Sequence, residues 1–370
     1  MKLGLLCTMR NGFGKKGYYN SQEVGLGRQL VKDGHQVIIY KAVPPSKGGR
    51  IETDTIEPSL NIMYIPMKGI VRHGYCDVSL IDKDLDGLLC FADNQLFLPH
   101  VMRYCEKNQI RFVPYFGTTR SMYTSPRGHL INSLFRVFVA PRYRSMQVLA
   151  KTPSIRRELA GMGIRNVVPA PVGINFSMLR QNFRDFDPML LRQEMGYSPE
   201  DVLVFSVARM ELDKRPQDMV EILNRIKDAK NFKLLIVGKG PLRGEVDQKI
   251  HRYGLSDRVR ILESVPYEDM WKLYRMADYF LNLNRDEIFG MAIMESVYYC
   301  TPVAAIRAPG PSTTLKGMKG HHLCKDDDEI ARVLCEPGPD QADLEDSSRR
   351  IVKKFSWEKC ASAFERLVER

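Results

Sequence analysis

Along this chain, short apolar runs alternate with longer stretches whose apolar positions recur every three to four residues. Lys2–Cys7 is a run of the first kind, followed by the glycine-rich segment Asn11-Gly12-Phe13-Gly14-Lys15-Lys16-Gly17. A helical pattern then occupies residues 21–33, stops at Gly34, and gives way to an apolar run at 36–42. Short runs between turn signals predict buried strands, and the 3.6-residue period predicts helices packed on them. Further strands are expected at residues 61–65, Gly87–Phe91, 111–115 and 147–150. The segment from Val167 to Asn175, with two prolines and a glycine, reads as an interdomain linker. A second series of strands follows at 202–208, 233–237, Val259–Leu262, 279–283 and 302–306, alternating with helices at 216–228 and 266–276. A last helix is expected at 357–368, with Ser356 as its N-cap.

Strand–helix alternation of this kind implies parallel sheets with helices on both faces. A chain of 370 residues exceeds what one core usually serves. The predicted fold is therefore α/β, with two doubly wound, Rossmann-like domains facing each other across a cleft. The expected division is an N-terminal domain over 1–172, a second over 173–352, and a terminal helix over 353–370 that crosses back to the first. Ligands of such sheets bind outside the carboxyl ends of the strands, so the chemistry should lie in the strand-end loops.

Composition narrows the class. The chain is 44% hydrophobic and 27% charged, and no apolar stretch approaches the roughly 20 residues that span a bilayer. The opening apolar run is too short for a signal peptide. Eight cysteines are scattered without a C-x-x-C pair, which gives neither zinc spacing nor a disulfide framework and points to free thiols in a reducing cytoplasm. No metal site and no nucleic-acid partner is expected. The net charge of +11 is uneven: residues 1–175 hold 24 Lys and Arg against 12 Asp and Glu, leaving 31 against 32 for the rest. The first half thus either meets an anionic partner or carries a solubilising basic face. Leu130, Ile131, Leu134, Phe135 and Phe138 recur at helical spacing among Arg127, Arg136, Arg142 and Arg144. Such a helix rests on an anionic membrane, or its stripe packs into the first domain.

Three stretches carry candidate chemistry. Glu287-Ile288-Phe289-Gly290-Met291-Ala292-Ile293-Met294-Glu295 follows a strand and opens a helix. Phe289, Gly290 and Met291 would present backbone N–H groups at a helix N-terminus, and the two carboxylates, about two turns apart, would line one rim of the cleft. Arg209 and Lys214, in the loop after another strand, could converge on one anion, Arg as a fork and Lys as a point charge. The glycine-rich loop after the first strand has neither the Walker nor the G-x-G-x-x-G spacing. Taken singly, each stretch is also what a solvated helix start or a surface turn looks like.

Together they resemble the family 4 retaining glycosyltransferases of the two-Rossmann GT-B fold, over nearly the whole chain. Glu287 and Glu295 match that family's E-x7-E motif, and Cys300-Thr301-Pro302-Val303 its G-x-P-V strand entry with cysteine in the glycine position. Arg209 and Lys214 match its basic pair for the donor diphosphate, Ala277-Asp278 precedes the motif strand, and Thr152 to Asn175 resembles its T…P-x-G-I-D segment with Asn175 for Asp. Gly17 matches its second loop glycine, seventeen residues before Gly34, whereas Lys16 stands for the first. One departure is Gly117, in the place of a histidine that the family sets near the donor sugar; Asp93 and Asn94 are the polar candidates for that role.

The resemblance implies a hexosyltransferase that takes a UDP- or GDP-sugar and transfers it, with retention, to a glycan or lipid-linked acceptor in cell-surface polysaccharide synthesis. No cofactor is needed, since the nucleotide sugar is a substrate. Arg209, Lys214 and loop amides would stabilise the departing diphosphate, Glu287 would orient the sugar hydroxyls, and Glu295 would hold the ribose. The rivals are a sugar-nucleotide epimerase on the same scaffold and a non-catalytic nucleotide-sugar-binding module.

Overall fold

Leu3, Leu5 and Leu6 have no exposed surface, because the strand that carries them, β1 (Lys2–Cys7), lies inside a parallel sheet. A strand buried on both faces has no polar side, which is why it reads as a continuous apolar run. The computed structural model describes residues 1–8, 21–43, 51–70, 73–120 and 126–369, which fall into two units, Met1–Asn175 with Phe355–Arg370, and Phe176–Lys354.

The first unit contains α1 (Gln22–Lys32), β2 (Gln36–Val43), β3 (Glu52–Glu57), β4 (Leu60–Pro66), β5 (Lys68–Ile70), β6 (His73–Tyr75), β7 (Gly87–Phe91), α2 (Leu98–Lys107), β8 (Arg111–Phe116), α3 (Pro126–Leu134), β9 (Val148–Ala150), α4 (Pro153–Gly161) and β10 (Val167–Pro169). Its sheet runs β10-β9-β8-β7-β1-β2-β4-β3, parallel except where β3 pairs antiparallel with β4. The expected linker is in part a strand: Val167 pairs with Val148 and Pro169 with Ala150. Its proline is tolerated because β10 is the sheet edge.

The C-terminal segment belongs to this unit. Ile174 N donates to Phe355 O at 2.9 Å, and a Cβ on Gly25 would lie 2.3 Å from Trp357 Nε1, so α1 carries glycine where the tryptophan crosses it. The last helix is Glu358–Val368, and its N-cap position falls on Trp357, one residue beyond Ser356. A second correction concerns the stretch after α3. The α-helix ends at Leu134 and continues as a π-helical turn, Phe135–Val139. That change of pitch splits the expected single stripe. Phe135 is fully buried, whereas Leu130, Val137 and Phe138 are exposed.

The second unit contains α5 (Pro188–Glu194), β11 (Val202–Val207), α6 (Pro216–Ile226), β12 (Phe232–Val237), α7 (Arg243–Arg252), β13 (Val259–Leu262), α8 (Tyr267–Met276), β14 (Tyr279–Asn282), α9 (Met291–Tyr298), β15 (Val303–Ile306), α10 (Pro309–Thr314), β16 (His322–Cys324), α11 (Asp327–Cys335) and α12 (Gln341–Lys354). The strand order is β13-β12-β11-β14-β15-β16, and every neighbouring pair is parallel. Chain order runs outward in one direction from β11 and in the other from β14. The sheet's switch point therefore lies between these two strands.

Candidate active site

The loops that follow β11 and β14 border the switch-point crevice, where a parallel sheet offers room to a ligand. The loop after β11 is held by the one after β12. Met210 N donates to Lys239 O at 3.0 Å, and Leu242 N donates to Met210 O at 3.0 Å. A Cβ on Gly238 would sit 2.0 Å from Ala208 O. Gly238-Lys239-Gly240 is what lets the two loops close on each other.

Arg215 fixes the far end of the same loop. It takes φ 54° between the 3-10 turn Leu212–Lys214 and α6, a left-handed conformation that side chains other than glycine rarely adopt. Its guanidinium grips Asp327 with two bonds of 3.0 and 2.6 Å, donates to Asp218 at 2.6 Å, and reaches Leu283 O at 3.4 Å. The loop after β11 is thereby tied to α11 and to the end of β14. This leaves Lys214 Nζ 2.9 Å from Glu287 Oε2.

Glu287 is positioned from three sides. Asn284 Nδ2 donates to its Oε2 at 3.2 Å, and Asn284 N is in turn held by Asn282 Oδ1 at 3.1 Å. Gly310 N donates to Glu287 O at 2.7 Å. A Cβ on Gly310 would strike Phe289 N at 2.6 Å, so only glycine lets α10 approach this loop. Burial pushes the Glu287 carboxyl up, but the Lys214 charge and hydrogen bonds from Lys214, Asn284 and Asn282 outweigh it. The net position is below its usual value, so the group is a carboxylate at neutral pH. Gly290 follows at φ 82° as the cap of α9, whose first-turn amides have no intrahelical acceptor. Phe289 itself is buried, and Thr314 Oγ1 donates to its carbonyl at 2.9 Å.

Arg209 and Lys214 rest on different carboxylates, Lys214 on Glu287 and Arg209 on its neighbours in the same loop. The Arg209 guanidinium lies 2.5 Å from Glu211 and 3.7 Å from Asp213, with its side chain 51% exposed. Glu295, expected on one rim with Glu287, is set among different partners: Tyr274 Oη donates to it at 2.9 Å. It forms part of the wall of a cavity of about 490 Å³ with Arg180, Tyr267, Trp271 and Tyr299. Burial raises its carboxyl to about 7 against the pull of hydrogen bonds from Tyr274 and Tyr267. Met291 is half-buried at the start of α9.

In the first unit, Gly17 lies outside the described residues. Asp93 is buried at the end of β7, and its Oδ1 accepts from Gly117 N at 2.7 Å and Thr118 N at 3.1 Å. Its carboxylate is committed to holding the next strand end. Asn94 Nδ2 approaches Asn132 Oδ1 at 3.4 Å. A Cβ on Gly117 would meet Lys151 at 2.9 Å from Cδ and 3.0 Å from Nζ. The buried Lys151 ammonium donates to Gln22 Oε1 at 3.0 Å and lies over the Phe91 and Tyr115 rings. Sequence reasoning passed over Lys151, Arg215, Asn282 and Asn284. A lysine directly after an apolar run and a pair of asparagines at a strand end were the available signals. Among the described residues no three His, Cys, Asp or Glu are grouped as metal ligands.

Residues 190–363 match the model of the glycosyl transferases group 1 family. That stretch is similar to a group 1 glycosyl transferase domain. A glycosyltransferase of uncharacterised role from Methanocaldococcus jannaschii is 25% identical over 230 residues, 59% of this chain and 58% of that protein. The match thus spans a little over half the length of this curated relative. The fold of the whole chain is shared with sucrose-phosphate synthase from Thermosynechococcus elongatus, at a TM-score of 0.72 and 17% identity, covering 100% of this chain and 98% of that one. It is also shared with Anabaena HepE, solved with UDP and glucose, at 0.71 and 14%, covering 100% and 99%. The matched stretch accordingly sits within a GT-B fold.

Proposed function

We propose that this chain is a retaining family 4 hexosyltransferase that uses a UDP- or GDP-sugar and a glycan or lipid-linked acceptor, in the synthesis of a cell-surface polysaccharide on the cytoplasmic side. The observation that carries this is the Lys214–Glu287 contact at the switch point, one turn before the N-terminus of α9. An ammonium, an ionised carboxylate and unpaired helix amides in one crevice suit a diphosphate and a hydroxyl-rich sugar together. HepE, similar in fold, was solved with UDP and glucose, which supports the choice of donor class.

Lys214 has three N–H donors, and only one is needed for Glu287; the others serve a phosphate oxygen. Arg209 holds its acidic neighbours at an exposed site, where ion pairs are weak, so it moves to the diphosphate at little cost. Glu287 accepts from the donor-sugar hydroxyls, and Glu295 takes the ribose. The bond from the anomeric carbon to the diphosphate oxygen breaks, and the acceptor oxygen bonds to the same face of that carbon. The acceptor proton passes to the departing diphosphate. Charge growing on that group is met by Lys214, Arg209 and the α9 amides.

A panel of nucleotide sugars screened for thermal stabilisation tests the reading. A donor at 100 times its Kd adds about 2.7 kcal/mol. No stabilisation by any nucleotide sugar or nucleoside diphosphate would overturn it.

A further inference from the structure

The first unit holds a second polar concavity that sugar transfer leaves unused. Arg120, Arg136, Arg144 and Glu158 line a cavity of about 400 Å³ floored by Gly161 and Met162. Arg120 Nε lies 3.7 Å from Glu158 Oε2, and Thr119 Oγ1 donates to the same carboxylate. One of the three guanidinium charges is therefore balanced. Among the described residues, Arg136 and Arg144 have no carboxylate partner. Arg144 is anchored by its Nε, which donates to Met162 O at 3.2 Å. It lies across Gly163, where φ is 84° and a Cβ would come within 3.0 Å of that Nε.

The neighbouring surface is apolar. Among the described residues, eight large hydrophobic side chains are exposed, and three of them, Leu130, Val137 and Phe138, fall within nine positions at 60%, 62% and 64% exposure. Arg136 sits directly between the buried Phe135 and the exposed Val137 on the π-helical turn. Exposed Arg127 and Arg142 flank the ridge, and Arg142 Nε donates to Phe138 O at 3.3 Å.

Unpaired guanidinium forks bind phosphate with two parallel bonds. Clustered apolar side chains rimmed by basic residues favour the boundary between lipid headgroups and chains. We infer that the Arg120–Arg136–Arg144 cavity seats the phosphate of a membrane amphiphile, with Leu130, Val137 and Phe138 dipping into the headgroup region beside it. A soluble phosphate ligand would leave that ridge in water, and a merely anionic surface would not need the cavity. The 24 basic against 12 acidic residues in positions 1–175 attract this half of the chain to such a surface. The site lies outside the group 1 match and adds a partner to the sugar-transfer reading without resting on it.

Cosedimentation of the full chain tests the site with three vesicle types: phosphatidylcholine alone, and phosphatidylcholine with either phosphatidic acid or phosphatidylserine. Wild-type protein should bind phosphatidic acid vesicles best, because a phosphomonoester presents more charge and more acceptors to two forks. Arg136→Gln with Arg144→Gln should lower that binding at least about tenfold and erase the preference over phosphatidylserine. Val137→Ser with Phe138→Ser should lower binding to both anionic vesicles. Unchanged thermal midpoints and unchanged stabilisation by nucleotide sugars would show that the variants fold. Equal binding to both anionic lipids, unaffected by the arginine variant, would overturn the site in favour of diffuse surface charge. Protection of the cavity by inorganic phosphate without any vesicle binding would overturn the lipid assignment.

Discussion

Lys214 Nζ and Glu287 Oε2 lie 2.9 Å apart although 73 positions separate them in the chain. Both side chains are mostly covered, at 20% and 16% exposure, so removing either charge strands the other. Lys214→Met should lower unfolding stability by about 1–3 kcal/mol and weaken nucleoside diphosphate binding roughly 10- to 100-fold. Calorimetry with the diphosphate and denaturant unfolding read the two effects separately. Arg209→Ala should weaken binding by a similar factor and leave stability nearly unchanged, since its partners are at an exposed site. Diphosphate affinity untouched in both variants would remove them from the site.

The two glutamates should separate by function. Glu287→Gln keeps nucleotide binding and loses most transfer, because its place beside Lys214 and Asn284 is that of a sugar-orienting carboxylate. Glu295→Gln mainly weakens the nucleotide. Equal loss of nucleotide affinity in both would refute the division.

Glu295 also predicts a pH dependence. Its carboxyl is raised from 4.5 to about 7 in the folded chain, so between those values the folded state binds more protons than the unfolded state. Stability should fall as pH rises through this window, by roughly 3 kcal/mol in all. Glu295→Gln should flatten that slope, which urea titrations at pH 4.5, 6 and 7.5 would show. A wild-type chain whose stability rises across the window would contradict the buried, neutral carboxyl.

The strands were legible where burial on both faces made them uniformly apolar, as in β1 and Gly87–Phe91; the edge strand Val259–Leu262, partly exposed and carrying Arg260, was legible as a short apolar run. Two other edge strands were not. β10 carries Pro169 and read as linker, and His322–Cys324 is too short and polar to stand out. Helical periodicity failed at Phe135–Val139, since a π-turn inserts a residue that no 3.6-residue count anticipates. At the site, Glu287, Lys214 and Gly290 were visible because a charge or glycine beside an apolar run is conspicuous. Arg215 was hidden beside Lys214, since its partners Asp218, Asp327 and Leu283 are brought to it only by folding. Cys300, which stands where the resembled pattern has glycine, takes φ 59°, a left-handed turn that glycine adopts without strain.

Gly117 and Lys151 should be energetically coupled. A Cβ at position 117 would crowd the lysine side chain at 2.9–3.2 Å, so Gly117→Ala should cost about 1–2 kcal/mol in the wild-type background. In a Lys151→Ala background the same change should cost much less. A double-mutant cycle with no coupling would show that the lysine moves aside freely.

Retention at the anomeric carbon is read from the anomer first released when the chain slowly hydrolyses the nucleotide sugar that stabilises it, followed by proton NMR before mutarotation. A retaining hexosyltransferase gives nucleoside diphosphate together with free sugar in the donor's own anomeric configuration, from the wild-type chain and not from Glu287→Gln. Appearance of the opposite anomer, or of an epimerised nucleotide sugar with no diphosphate released, would contradict it.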